Sequence, residues 1–437
     1  IRDSVASICQ AVPDLAGFFT ITASENLTNC WSHHRGDSCP RCGKRSGAEV
    51  IAEVNRLVWE GIRRSGSKAS LIAYDWGWPD AWAEAIIEAL PQEAALMSVS
   101  EWSIPIRRGG VESVIGEYAI SEVGPGPRAS RHWEIAQRRG MKTIAKIQAA
   151  NTWELSAIPY IPALGSVAQH IANLRKTGVN GLMLGWTLGG YPSPNLEVVA
   201  EMGRADAPPN PSEALRVVAE RRFGPALAPA LVEAWRGFSD AFREFPYHIS
   251  VVYNAPQQFG PSNLLWEWPT GYRATMIGFP YDDLERWRAV YPPEVFIAQF
   301  YRVADGFEQA LAQLKKAISE NSATLTPPQQ AALREEMSVA EAAAIHFRTV
   351  ANQARFVVAR DALTQAKTPD EKCPLLDEIQ QILNDEIVLA RRLFALQASN
   401  SCLGYESSNQ YYYIPLDLVE KVINCRDLLD RWLPAQK

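Results

Sequence analysis

The sequence predicts an α/β fold of parallel strands over residues 1–207, followed by a mainly α-helical region over 208–437. Three observations carry that prediction. Through residue 197, short runs of β-branched and aromatic residues alternate with helical stretches, the rhythm of βα units in a parallel sheet. Polar and aromatic residues collect directly after those runs, where α/β sheets present functional groups. From Pro208 onward the pattern is helical, with long Ala/Glu/Arg-rich segments separated by turn signals. At 437 residues the chain also exceeds the roughly 250–300 residues at which single cores stop growing, so at least two domains are expected.

Five segments read as strands: Gly17–Thr22, Ser70–Tyr74, Ala95–Ser98, Lys142–Gln148 and Gly181–Leu184. Between them, Ala48–Ser65, Trp82–Leu90 and Val167–Thr177 carry helical spacing. The second half opens with a cap at Pro211–Ser212 ahead of Glu213–Phe223 and continues through Ala226–Phe245. Tyr253–Gly278, rich in Pro, Gly and Trp, interrupts it as an irregular loop. Helices then run over Pro293–Asn321, Pro327–Asp361 and Leu375–Ser399, and an aromatic segment, Tyr405–Pro415, precedes a last helix ending near Trp432.

Composition narrows the function classes. A net charge of −6 leaves no basic face to neutralise phosphates, which argues against nucleic acid as a partner. The longest apolar runs fall short of the ~20 residues of a membrane span, so no membrane partner is expected. Fourteen tryptophans, many in the first 200 residues, suit flat amphipathic ligands such as sugar rings, and a glycan is the partner they favour. The chain opens at Ile1 without a signal-peptide pattern, and its seven cysteines fit a reduced or metal-bound state better than a disulfide framework. The cytoplasm is the favoured compartment, and a homo-oligomer stays open.

Three of those cysteines fall in one loop. Within Cys30-Trp-Ser-His33-His34-Arg-Gly-Asp-Ser-Cys39-Pro-Arg-Cys42, a Cys-x2-His pair and a Cys-x2-Cys pair supply four ligands at the spacing tetrahedral zinc prefers. Cys30, His33, Cys39 and Cys42 are therefore expected to hold a structural zinc ion that braces the loop, with no organic cofactor. His34 is left as a surface residue or as one that faces a sugar.

Just upstream, Glu25 follows the first strand in a polar Ser-Glu-Asn turn. Glycoside hydrolysis needs one carboxylic acid to protonate the departing oxygen and a second group to stabilise or trap the oxocarbenium-like centre. Glu25 is the candidate acid; Asp75, Glu101 and Glu154, at three later strand ends, compete for the second role. Trp76, Trp102 and Trp153 stand directly beside these three, and Asn151 and Trp186 complete the expected sugar-binding set.

The order of these pieces resembles the later half of a (β/α)8 glycoside hydrolase barrel, with Glu25 after strand 4 and the following strand ends as 5 to 8. A full barrel takes ~250 residues, so the resemblance implies strands 1–3 upstream of Ile1 or on a separate segment. An open five-stranded sheet is the alternative. The segment Gly181-Leu-Met-Leu-Gly-Trp186-Thr187 resembles the strand-8 ending of glycoside hydrolase family 20, the β-N-acetylhexosaminidases, and families 123 and 163 are similar in architecture. Glu25 followed by a Cys-rich loop is similar to family 163. The resemblance covers residues 10–200. It implies substrate-assisted catalysis on an N-acetylgalactosaminide or N-acetylglucosaminide: the 2-acetamido carbonyl attacks the anomeric carbon, and Glu25 acts first as acid, then as base. Trp153 and Trp186, with Trp102, would wall the acetamido pocket. Ser24 stands where family 20 has Asp, and Leu188 where it has Glu, so Asp75 is the first candidate to orient the acetamido group.

Two other readings remain. A β-galactosidase-like retaining enzyme would use Glu25 as acid and Glu154 as nucleophile. A zinc-braced carbohydrate-binding protein would stack sugars without cleaving them.

Overall fold

The computed structural model describes residues 1–437 except 25, 187, 209, 275–277, 322–324, 407–409 and 437. The chain divides into two compact units: residues 1–104, 124–147 and 173–184 form the first, and 105–123, 148–172 and 185–437 the second.

The first unit carries a five-stranded parallel sheet. Helix α1 (Arg2–Ala11) leads into β1 (Gly17–Ile21), α2 (Gly47–Ser65), β2 (Ser70–Tyr74), α3 (Asp80–Ala89) and β3 (Ala95–Val99). The hairpin β4 (Pro105–Arg108) and β5 (Val111–Val114), which belongs to the second unit, intervenes before α4 (Pro127–Arg138), β6 (Thr143–Lys146), α5 (Leu164–Thr177), whose residues 164–172 also belong to the second unit, and β7 (Gly181–Met183). The sheet order is β1-β2-β3-β6-β7. All five residues of the central β3 are buried, whereas β1 and β7 are half-exposed, as position in an open sheet dictates. Helix α2 starts cleanly because Ser46 and Glu49 form a reciprocal capping box, and it ends at Gly66 with φ 75°.

This architecture corrects the barrel expectation. Neighbouring strands rotate by roughly 20–25°, so five of them turn through only about a right angle. Closure needs more strands and a pairing of first with last, and here β1 and β7 are the two edges of an open sheet among the described residues. The chain is instead mostly helical.

The second unit contains α6 (Pro194–Gly203), α7 (Pro211–Phe223), α8 (Ala228–Phe242), the short α9 (Ile249–Asn254) and α10 (Leu284–Arg288), and the long α11 (Pro293–Asn321), α12 (Pro327–Gln365), α13 (Pro369–Ser399) and α14 (Pro415–Asp427). Helix α11 packs on α8 and α12, and α13 packs on α12 and α14. Phe238, Phe242, Phe300, Phe307 and Phe347 are fully buried where α8, α11 and α12 meet. Among the described residues, no helix is long and apolar enough to cross a membrane.

Candidate active site

The ends of β1, β2 and β3 converge in the first unit. Gly77, just past β2, has φ 72°, and a Cβ there would lie 1.7 Å from the Ala23 carbonyl oxygen beyond β1. Only glycine permits that approach. Trp78, buried, donates its indole N–H to Thr22 Oγ1 at 2.9 Å, and Trp76 donates to Ser24 Oγ at 3.1 Å. The two loops are thereby laced together at the position preceding Glu25, which itself lies outside the described residues. Gly77→Ala is expected to destabilise the protein by at least ~1–2 kcal/mol from the left-handed backbone alone, with the overlap on Ala23 adding to it; thermal melts against wild type check this.

Trp76 and Trp102 are half-buried and pack at 5.1 Å between ring centroids with a 50° tilt, so the ends of β2 and β3 share an aromatic surface. Glu101, between β3 and Trp102, is fully buried. Beneath lies an ion network. Helix α4 begins at Pro127, and Arg128 and His132, one helical turn apart, reach the same carboxylate oxygen: Asp75 Oδ2 accepts from Arg128 Nη1 at 2.9 Å and from His132 Nδ1 at 2.7 Å. Arg128 Nε also donates to Asp80 Oδ1 at 2.8 Å. Burial by itself would raise the Asp75 carboxyl, but the Arg128 charge and the His132 hydrogen bond outweigh it and hold Asp75 below the usual carboxylate range. Asp75 is thus a sealed anion, engaged by its own fold.

The cysteine loop sits beside these strand ends. Cys30, Cys39 and Cys42 bring their sulfurs within 4.8 Å of one another. Three thiolates on one zinc at ~2.3 Å would stand ~3.8 Å apart, so the cluster fits a metal with small adjustment. His33 is exposed and is not a member of that group among the described residues. The neighbouring thiols push Cys30 up to about 11, while backbone N–H donors at Cys42 and Arg41 bring Cys39 down to about 7. His34 has φ 60° and donates Nε2–H to the Gly77 carbonyl at 2.8 Å, tying the loop to the β2 end. Trp31 packs edge-on against Trp82 at 5.6 Å and donates to the Cys42 carbonyl.

The remaining predicted residues belong to the second unit. Glu154 is fully buried and accepts from the Ile120 N–H at 2.7 Å, the Thr152 hydroxyl at 2.7 Å, and both the N–H and hydroxyl of Ser121. Burial pushes its carboxyl up against the pull of these donors. Asn151 is likewise turned inward, donating to the Ile158 carbonyl and accepting from the Thr152 N–H. Trp153 packs on Tyr253 at 5.9 Å, and Tyr253 donates to Glu117 at 2.6 Å. Trp186 is 46% exposed, and Thr187 lies outside the described residues.

No protein-family model matches the chain, and no curated protein matches it. Among solved structures it resembles a GH138 enzyme targeting pectin rhamnogalacturonan II, with a TM-score of 0.52 and 11% sequence identity over 99% of this chain and 52% of that one. The fold is shared with a glycoside hydrolase. The chain spans about half the length of that enzyme. A weaker likeness, TM-score 0.41 at 11% identity over 88% of this chain and 41% of the other, is to the GH89 enzyme of Clostridium perfringens in complex with its substrate GlcNAc-α-1,4-galactose.

Arg128 and His132 escaped the sequence reading. Their partner Asp75 is 53 and 57 residues away, and the available signal was an arginine and a histidine one turn apart on a helix face with Ala129, Trp133 and Ala136.

Proposed function

We propose that the chain is part of a glycoside hydrolase, a retaining β-N-acetylhexosaminidase that acts on an N-acetylgalactosaminide or N-acetylglucosaminide. The observation that carries this reading is the half-buried Trp76–Trp102 pair, which offers a pyranose an apolar face and is bonded through Trp76 to Ser24, the residue before Glu25. The fold shared with a glycoside hydrolase supports it.

Glu25 protonates the glycosidic oxygen while the substrate's own acetamido carbonyl attacks the anomeric carbon, giving an oxazoline. The same carboxylate then takes a proton from the incoming water, so configuration is retained. Asp75, with Oδ2 held by Arg128 and His132, anchors the platform from beneath and is closed to the acetamido group. Glu154 has the same kind of closed environment, which counts against a nucleophile at that position.

Turnover of a panel of 4-nitrophenyl glycosides tests the substrate class. The expected result is release of nitrophenol from the N-acetyl-β-galactosaminide or N-acetyl-β-glucosaminide and inhibition by a thiazoline mimic of the oxazoline. Cleavage of the β-galactoside alone, insensitive to the thiazoline, would displace the assisted mechanism.

Cys30, Cys39 and Cys42 would hold one zinc ion as a brace, with water as the fourth ligand. Because the loop is tied to Gly77 through His34, chelation is expected to lower the melting temperature by several degrees. Elemental analysis should give one zinc per chain, and Cys39→Ser should lose it.

A further inference from the structure

We propose that Arg128 is a positioning residue that sets the angle of the Trp102 ring and so presents the Trp76–Trp102 platform to the sugar. This rests on the glycosidase reading and adds to it the residue that governs how the ligand stacks.

The guanidinium is fixed on every side. Nε donates to Asp80 Oδ1 at 2.8 Å, Nη1 to Asp75 Oδ2 at 2.9 Å, and Nη2 to the carbonyls of Asp75 and Trp78 at 3.1 and 3.2 Å. Four bonds along two edges lock the plane of the fork. Its carbon lies 4.7 Å from the Trp102 ring centroid, within cation–π reach. The Trp102 ring is therefore gripped by Arg128 and by Trp76 at 5.1 Å.

The backbone serves the same end. Gly126, just before α4, donates its N–H to the Ser100 carbonyl at 2.7 Å, and a Cβ on it would stand 2.7 Å from the Trp102 carbonyl oxygen. The start of α4 is thus seated flush on the end of β3, and Arg128 enters from the second position of the helix.

That placement is unfavourable on two counts. A cation sits at the positive end of the helix dipole, and the side chain is only 3% exposed, so its charge has been stripped of water. An apolar side chain of similar volume would fill the space at lower cost. What the apolar residue would lack is a planar, fixed charge under an indole ring. The arrangement makes sense where the ring must hold one angle.

Two variants test this, each compared with wild type by near-UV circular dichroism, melting temperature, and kcat and KM on 4-nitrophenyl N-acetyl-β-galactosaminide and N-acetyl-β-glucosaminide. Arg128→Lys keeps the charge toward Asp75 but loses the fork. Asp80→Asn weakens the outer clamp at a side chain that is 56% exposed, and so leaves the buried pair in place should the lysine variant fail to fold. For Arg128→Lys we expect KM to rise about tenfold with kcat within about threefold of wild type, and the near-UV tryptophan signal to fall. Asp80→Asn should change both in the same direction by a smaller factor. A lowered melting temperature with wild-type KM and an unchanged tryptophan signal would mark a purely structural arginine and overturn the proposal. If wild type turns over neither glycoside, the N-acetylhexosaminidase reading fails by itself. The tryptophan signal then still decides whether Arg128 orders the ring pair: loss supports its positioning role, and an unchanged signal removes it.

Discussion

Replacing Glu25 by Gln is expected to lower kcat on whichever N-acetylhexosaminide responds by about 10²–10⁴-fold, the usual range for loss of a positioned general acid. Gln fills nearly the same volume as Glu, so the melting temperature should hold. The size of the loss should depend on the leaving group. Nitrophenolate departs with little help, whereas the oxygen of a disaccharide linkage needs a full proton, so the deficit should be larger on the disaccharide. KM should change little on either, because platform stacking does not involve the carboxyl. Turnover by Glu25→Gln within tenfold of wild type on a disaccharide would remove Glu25 from the acid role. Retained sugar binding without turnover in the wild-type protein would instead favour the non-catalytic carbohydrate-binding reading.

Why a candidate acid could be nominated from sequence while its surroundings could not is a matter of range. Each of the five segments that apolar runs mark as strands is one, at Gly17–Ile21, Ser70–Tyr74, Ala95–Val99, Thr143–Lys146 and Gly181–Met183, because short apolar runs between turn residues are a local signal. How many strands pair, and whether the sheet closes, depends on contacts between distant segments, and there the barrel expectation failed. The cysteine loop shows the same division. The Cys-x2-Cys spacing brings Cys39 and Cys42 together, and Cys30 joins them, yet His33 does not. In the turns after Cys30 it is Trp31 that goes inward, its N–H bonded to Asn29 Oδ1, while His34 takes a left-handed backbone conformation. Cys-x2-His spacing lets both side chains converge only if the turn between them is regular, and this one is not. Asp75 was visible as a carboxylate after a strand, but its burial was not, since that follows from Arg128 and His132 on α4.

Asp75→Ala supplies the second large effect. It strands Arg128 and His132 in a site where their side chains are 3% and 1% exposed. Removing one partner from a buried ion pair costs about 3–5 kcal/mol, a fall in Tm of roughly 3–5 °C for a chain of 437 residues that unfolds as one. Asp75→Asn keeps the shape and one acceptor oxygen and should lose less. The pH dependence separates charge from packing. Asp75 titrates below its unfolded value of ~3.9, so the unfolded chain takes up a proton that the folded one refuses. Its contribution is therefore fully present above the ordinary carboxylate range and is lost as pH falls through the folded value. The Tm gap between wild type and Asp75→Asn should be constant from pH 7 to about 5 and then narrow toward pH 3. A gap that stays the same at pH 3 would mean that packing, and not the Arg128–Asp75 charge pair, holds this strand end together.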